Sequence, residues 1–286
     1  MRIWHHLNNL PPLKRVPLKL VLFLLGTGLI VYPKPWLLPR TIERYADMDS
    51  VLDPQNRALA PLAEEVRHDL PAGAGGRAAL KIVQEVVYRH VPYAYDWDVW
   101  GVMEYLPTVD EVFRQGREDC DGRAVVAASL LRRLGYDASL VTDLLHVWVR
   151  TPAGETMSPT GGEKVLVATR TGTRTNISWR IWRNLARGLA FGVAAFPLLR
   201  ETLILMWLCA LTIHPRSSFW RNVAGCLVLW IALQTIRHAG IATALTGDPT
   251  STLEAVAGAT LVLVGWLILA IRAGAGRRRY ASTQPG

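Results

Sequence analysis

The sequence predicts an α+β domain set between apolar helices that belong in a membrane. Three observations predict it. Half of the 286 residues are apolar, but they are concentrated toward the two ends of the chain. Residues 41–180 instead mix charge with apolar patterns of helical and then strand period. The net charge of +9 gathers beside the apolar ends, at Arg2, Lys14, Arg15 and Lys19 in front and Arg272, Arg277, Arg278 and Arg279 behind. Flanking charge of this kind sets membrane topology and attracts anionic headgroups, so the lipid bilayer is an expected partner. The central part has no basic stripe with interleaved aromatics, so nucleic acid is not.

The flanks divide into segments. Residues 1–15 are basic, and 16–32 read as a transmembrane helix whose Lys19 snorkels from one end. A cleaved signal peptide is the rival reading. No small-x-small site follows Val31, where the chain continues Tyr32-Pro33-Lys34-Pro35-Trp36, so an uncleaved anchor is expected. Residues 188–213 form a transmembrane or interfacial helix interrupted by Pro197 and by Arg200-Glu201. Those charges are costly in lipid unless each finds a partner. Residues 222–238 are a short run, leaving a tilted or re-entrant segment open, and 255–271 are a third run before the basic tail, 272–286. If all four runs cross, the positive-inside rule puts residues 41–180 on the non-cytoplasmic side of an inner or plasma membrane. Arg170, Arg174, Arg180, Arg183 and Arg187 argue against that side.

Within the domain, Pro71 to Gly76 is a breaker cluster. Leu80, Val83, Val86, Val87 and His90 then recur at helical spacing and predict a helix over 77–90. Residues 91–107 read as an aromatic loop carrying Tyr93, Tyr95, Trp97, Trp100 and Tyr105. Thr108 is an N-cap with Glu111 at the capping-box position. Cys120, Ala124, Ala127, Ala128, Leu131 and Leu134 share one face of the next helix, and Gly135 ends it. In the strands that follow, Ala138, Leu140 and Thr142 share one face. Next, Leu145, Val147 and Val149 oppose His146, Trp148 and Arg150. Pro152 to Glu155 turn the chain into a third short strand ending near Ser158.

A cysteine at a helix start and a histidine on a following strand are the two parts of a thiol nucleophile. The helix N-terminus and an imidazole both favour thiolate. Taken singly, Cys120 reads as a small buried hydrophobe and His146 as an ordinary strand residue. Cys209 and Cys226 lie in apolar runs and read as helix-packing residues, so Cys120 has no disulfide partner within the domain. No Cys/His spacing suggests a metal, and no cofactor is expected.

Residues 77–165 resemble the transglutaminase-like superfamily of papain-fold cysteine enzymes. The resemblance rests on Val91-Pro92-Tyr93, on Pro107 to Phe113 before Gly116, and on the box Asp119-Cys120-Asp121-Gly122-Arg123-Ala124. Ser129 to Ala138 and His146-Val147-Trp148-Val149 complete it. It implies a papain-like core, a nucleophile helix on a short antiparallel sheet, and acyl transfer by Cys120 and His146 through a thioester, on a protein or peptide amide. The backbone N–H of Cys120 would be the oxyanion donor. The family usually places an Asp after the histidine strand; here the element reads Met157-Ser158-Pro159-Thr160, so Ser158 stands in the acid's place. A serine can orient imidazole but cannot neutralise imidazolium. Asp143, near the end of the preceding strand, is a candidate for a substitute carboxylate whose position the sequence does not fix. Trp97 and Trp100 line a substrate groove or pack the core. Asp119 and Asp121 complement the helix N-terminus, with Arg123 as an ion-pair partner. The missing acid and Arg200-Glu201 motivate an alternative, a catalytically silent binding module docked on a larger membrane complex. A weaker alternative has the C-terminal helices handling a lipid-linked substrate. The sequon Asn176-Ile177-Ser178 is too short a motif to carry weight.

Overall fold

A computed structural model describes residues 2–143, 146–158, 165–169, 172–175, 191–214, 217–246 and 250–270. Leu145, Pro159, Thr160, the sequon at 176–178 and the basic tail lie outside the described residues. The chain forms two compact units, Tyr32–Leu185 and, separately, Met1–Val31 with Ala186–Gly286. In chain order α1 (Arg2–Asn9) and α2 (Pro12–Val31) belong to the second unit.

The unit Tyr32–Leu185 is α+β. Its helices are α3 (Leu38–Ala46), α4 (Leu59–Asp69), α5 (Gly76–His90), α6 (Asp96–Val99), α7 (Val109–Gln115) and α8 (Cys120–Arg133). Its strands are β1 (Ser139–Thr142), β2 (Val147–Thr151), β3 (Gly154–Thr156), β4 (Leu166–Thr169) and β5 (Gly172–Thr175). They form one sheet in the order β3-β2-β1-β4-β5, every pair antiparallel. The aromatic segment expected as a loop contains the single turn α6, and β4 and β5 extend the sheet beyond the three strands expected.

Local chemistry explains the helix boundaries. Thr108 and Glu111 form the reciprocal capping box that starts α7, and Gly116 ends it in the left-handed region at φ 69°. At the end of α8, Gly135 turns left-handed at φ 90°. Its N–H reaches Arg132 O at 3.0 Å and the Tyr136 N–H reaches Leu131 O at 3.0 Å, the Schellman pattern.

The middle of α8 is enclosed on every side, not on the single face expected. Val125, Val126, Ala127, Ala128, Leu130 and Leu131 are all buried, because α4, α5 and α7 pack on α8 along with β1 and β2. Strand β1 is likewise buried on both faces at Leu140 and Val141, since it is the central strand and the 3₁₀ turn Met48–Val51 also packs on it. Alternation therefore under-reads both elements.

The segment after Tyr32 is bound into this unit by Glu111. Arg44 donates two bonds to the Glu111 carboxylate at 2.7 and 3.2 Å, and Tyr105 Oη and Thr108 N donate at 2.9 and 2.8 Å. Tyr32 Oη lies 2.9 Å from Thr41 Oγ1 and donates to Glu104 O at 2.9 Å.

The other unit is helical. Of the four apolar runs, two form helices long and apolar enough to cross a membrane, with spans over Phe219–Ala242 and Leu253–Ala270. The run expected over 222–238 is thus the middle of the long helix Phe219–Thr246. It continues through Arg237, whose Nη1 donates to Val193 O at 3.0 Å, to Phe196 O at 2.9 Å and to Glu201. Those partners satisfy a charge that would be costly in lipid on its own. The helix Leu198–Thr212 starts after Pro197 and is short for a span. The helices Phe219–Thr246 and Thr250–Ala270 pack closely at glycines, where a Cβ on Gly265 would stand 3.1 Å from Leu229 N.

Candidate active site

Cys120 is the first residue of α8, and its N-cap is Asp119, whose carboxylate accepts from Asp121 N at 3.2 Å. The Cys120 N–H has no hydrogen-bond acceptor among the described residues, as befits the orphan amides of a helix start. The backbone N–H of Val147, the residue after His146, faces the Cys120 sulfur closely enough to favour the thiolate. The packing of α8 on β2 therefore brings the thiol to the histidine end of that strand.

His146 sits just before β2, at the end of the hairpin loop from β1. Asp143 Oδ1 accepts the His146 backbone N–H at 2.9 Å, and the Asp143 N–H reaches back to His146 O at 3.3 Å. Asp143 thus braces the backbone at His146. The ring itself bonds elsewhere, with Nε2 2.7 Å from Met157 O. A carbonyl only accepts, so Nε2 carries the proton, and in the neutral ring Nδ1 holds the free lone pair. Ser158, one residue beyond, is exposed, and the carbonyl of Met157 occupies the position opposite Nε2. Cys120 and His146 are not joined by a hydrogen bond among the described residues. Resting thiol sites often tighten only around substrate.

Acidic groups crowd the nucleophile. Asp96, Glu118, Asp119 and Asp121 each place a carboxylate oxygen within 4.8 Å of the others, and Asp119 and Asp121 form a second such group with the Cys120 sulfur. Asp96, Glu118 and Asp121 are buried. Arg123, expected to pair with this group, turns away: its Nε donates to Val91 O at 2.8 Å and its guanidinium lies over the rings of Tyr88 and Tyr93. Burial raises the Asp96 and Asp121 carboxyls well above the usual range, with Asp119 the next cause. The same two causes push Glu118 up to about 8. Enclosure of the sulfur pushes the Cys120 thiol well up, Asp119 adds to this, and the Val147 N–H pulls the other way. The helix start therefore does not by itself make a thiolate here; burial first, and Asp119 next, outweigh it.

The aromatic side chains, half-buried at Trp97 and Trp100, contact one another and the acidic group. Trp100 Nε1 donates to Glu118, its ring packs on Tyr105 at 4.4 Å, and Trp97 stacks on Tyr95 at 4.3 Å. The groups that sequence reasoning missed are the side chains of Asp96, Glu118 and Gln84 and the backbone carbonyl of Met157. Gln84 accepts from Met157 N at 3.0 Å and from Thr156 Oγ1 at 2.8 Å. No spacing pattern announces any of them, because each is brought in by a different loop or helix.

No protein-family model matches the chain, and neither the curated proteins nor the solved structures contain a significant match.

Proposed function

We propose that the unit Tyr32–Leu185 is a transglutaminase-like thiol acyl-transfer enzyme held at a membrane, hydrolysing an amide in a protein or peptide. The observation that carries it is the arrangement at the end of β2. The His146 Nε2 bond to Met157 O leaves Nδ1 with the lone pair, and α8, packed on β2, places Cys120 at a helix start with a free amide.

In the proposed reaction, Cys120 passes its proton to His146 Nδ1 as sulfur attacks the amide carbon. The S–C bond forms, and the carbonyl oxygen becomes an oxyanion against the Cys120 N–H. The C–N bond breaks, and the leaving nitrogen takes the proton from His146. A water then attacks the thioester, gives its proton to His146, and the S–C bond breaks to release a carboxylic acid and the thiol. Because the raised thiol disfavours a resting ion pair, proton transfer accompanies attack instead of preceding it. Positive charge beside Lys14, Arg15 and Lys19 supports a non-cytoplasmic domain in an inner or plasma membrane.

The test is the rate of Cys120 alkylation by iodoacetamide at one pH, read by peptide mapping so that Cys209 and Cys226 do not interfere. His146→Ala is expected to slow labelling at least ~10-fold, the lower end of what a positioned base contributes. Equal rates would defeat the enzyme reading. The same raised thiol supports a second reading, a silent binding module with a membrane partner, which equal rates and a stable partner in mild detergent would favour.

A further inference from the structure

We infer that the backbone carbonyl of Met157 is the third member of the Cys120–His146 pair, and that Gln84 is the positioning residue that aims it. This rests on the acyl-transfer reading of the same site.

Met157 is the one non-glycine residue with positive φ among the described residues, at 59°. A left-handed backbone at such a residue costs roughly 1–2 kcal/mol and persists only where its surroundings hold it. Three contacts hold it. Gln84, on α5, presents Oε1 to the Met157 N–H at 3.0 Å and to the Thr156 hydroxyl at 2.8 Å. Thr156 Oγ1 also lies within 3.2 Å of Leu80 O, one turn back on the same helix. The Met157 side chain is buried in the core.

The left-handed turn at the end of β3 sends the next carbonyl to His146 rather than along the sheet ladder. Strand β3 stops at Thr156, and Met157 O meets Nε2 at 2.7 Å. A carbonyl is neutral. It selects the Nε2–H tautomer and fixes the ring plane, as an acid would, but adds no negative charge to stabilise imidazolium. A neutral partner suits this site, where Asp96, Glu118, Asp119 and Asp121 already crowd the nucleophile with acid. Its cost is precision: a main-chain acceptor has no rotamer of its own, so its aim is set by whatever fixes the backbone. Gln84 does this from a rigid helix whose Leu80, Val83 and Val87 are buried.

The experiment uses the full chain in detergent micelles with ¹⁵N-histidine, the His146 signals being identified by their loss in His146→Gln. Long-range ¹H–¹⁵N spectra report which nitrogen is protonated, whether or not the protein is an enzyme. Wild type is expected to show His146 protonated at Nε2. Gln84→Met, which removes the acceptor at similar volume, is expected to mix the tautomers and slow Cys120 alkylation ~10-fold, as losing a histidine's outer hydrogen-bond support does elsewhere. Gln84→Glu keeps the acceptor and is expected to restore both. Met157→Gly keeps the carbonyl and accepts positive φ, so it is expected to hold the Nε2 tautomer despite lost packing. An Nδ1-protonated wild type overturns the inference, as does a Gln84→Met spectrum identical to wild type. Failure of Gln84→Glu and Gln84→Met alike shows packing rather than aiming and overturns it too. Slow wild-type labelling with the Nε2 tautomer intact instead refutes the acyl-transfer reading alone.

Discussion

Two carboxylates in the same unit, the half-buried Glu111 and the buried Asp96, meet opposite ends of one residue and have opposite character. Tyr105 donates its hydroxyl to Glu111 at 2.9 Å and its backbone N–H to Asp96. Glu111 also has Arg44 on both oxygens, the Thr108 amide and the capping box of α7. Although burial opposes it, Arg44 holds its carboxyl below the usual range. Asp96 has no arginine or lysine partner among the described residues, leaves Oδ1 without a hydrogen bond, and faces three other carboxylates. Glu111 ties α3 to the body of the domain. The Asp96 group is instead a cost the fold carries, and it lies beside Cys120. Costs of this kind concentrate at functional sites, whereas paired charges can be purely structural.

The largest expected effect breaks the Glu111 side. Arg44→Ala leaves the half-buried Glu111 with neutral donors and only the exposed Arg40, 4.0 Å away, as a cation, which is expected to destabilise the unit by about 2 kcal/mol in denaturant melts. A loss below about 1 kcal/mol would mean that the pair is solvated and the contrast with Asp96 is false.

Next comes Gly122, in the first turn of α8. Replacing a helical glycine with alanine normally gains about 1 kcal/mol. Here the new Cβ would stand 2.7 Å from Glu118 Cβ and 2.9 Å from Glu118 Cδ. Gly122→Ala is therefore expected to destabilise by about 1–2 kcal/mol, because overpacking outweighs propensity. A stabilised variant would show that Glu118 is free to move out of the acidic group.

The smallest effect sharpens the Asp96 side through its sign. Asp96→Asn keeps an acceptor for the Tyr105 N–H and gives the neighbouring carboxylates a donor. Folding raises the Asp96 pKa, so the stability of its protonated form is present at low pH and is lost as pH rises through the folded value. The variant is expected to melt like wild type near pH 4 and to be more stable by about 1 kcal/mol near pH 8, measured with a chelator present. Glu111 has the opposite sign. Its folded pKa is lowered, so its contribution is present above the unfolded value and is lost as pH falls. An Asp96→Asn variant that is less stable at pH 8 would show that the charge itself is wanted.

The fold and the site were legible wherever contacts are local in sequence. The helix predicted over 77–90 is α5, the Thr108–Glu111 box starts α7, and Gly135 ends α8. Each depends on atoms within about one helical turn. Cys120 at a helix start was readable for the same reason. The ring partner of His146 was not: the side-chain pattern pointed to Ser158, whereas the structure uses a main-chain atom, and every residue has a carbonyl. The acidic group was also hidden: Glu118, Asp119 and Asp121 are near neighbours of Cys120, but Asp96 is remote in sequence. Asp96 comes from α6, which Tyr105 and Trp100 fold back onto the start of α8. The long helix runs past the expected 222–238 at both ends, and nothing local in the sequence shows that Glu201 and two carbonyls satisfy the Arg237 within it.

By itself the sequence determined the α+β class of the central unit, the apolar character of the two flanks, and which cysteine stands at a helix start. Those follow from periodicity, capping and composition, which act over a few residues. Only the tertiary structure decided that α8 is enclosed on all sides, that a carbonyl orients His146, and that unpaired acids surround the thiol. These depend on segments far apart in the chain meeting in a low-dielectric interior, where one hydrogen-bond acceptor or one missing cation sets the chemistry.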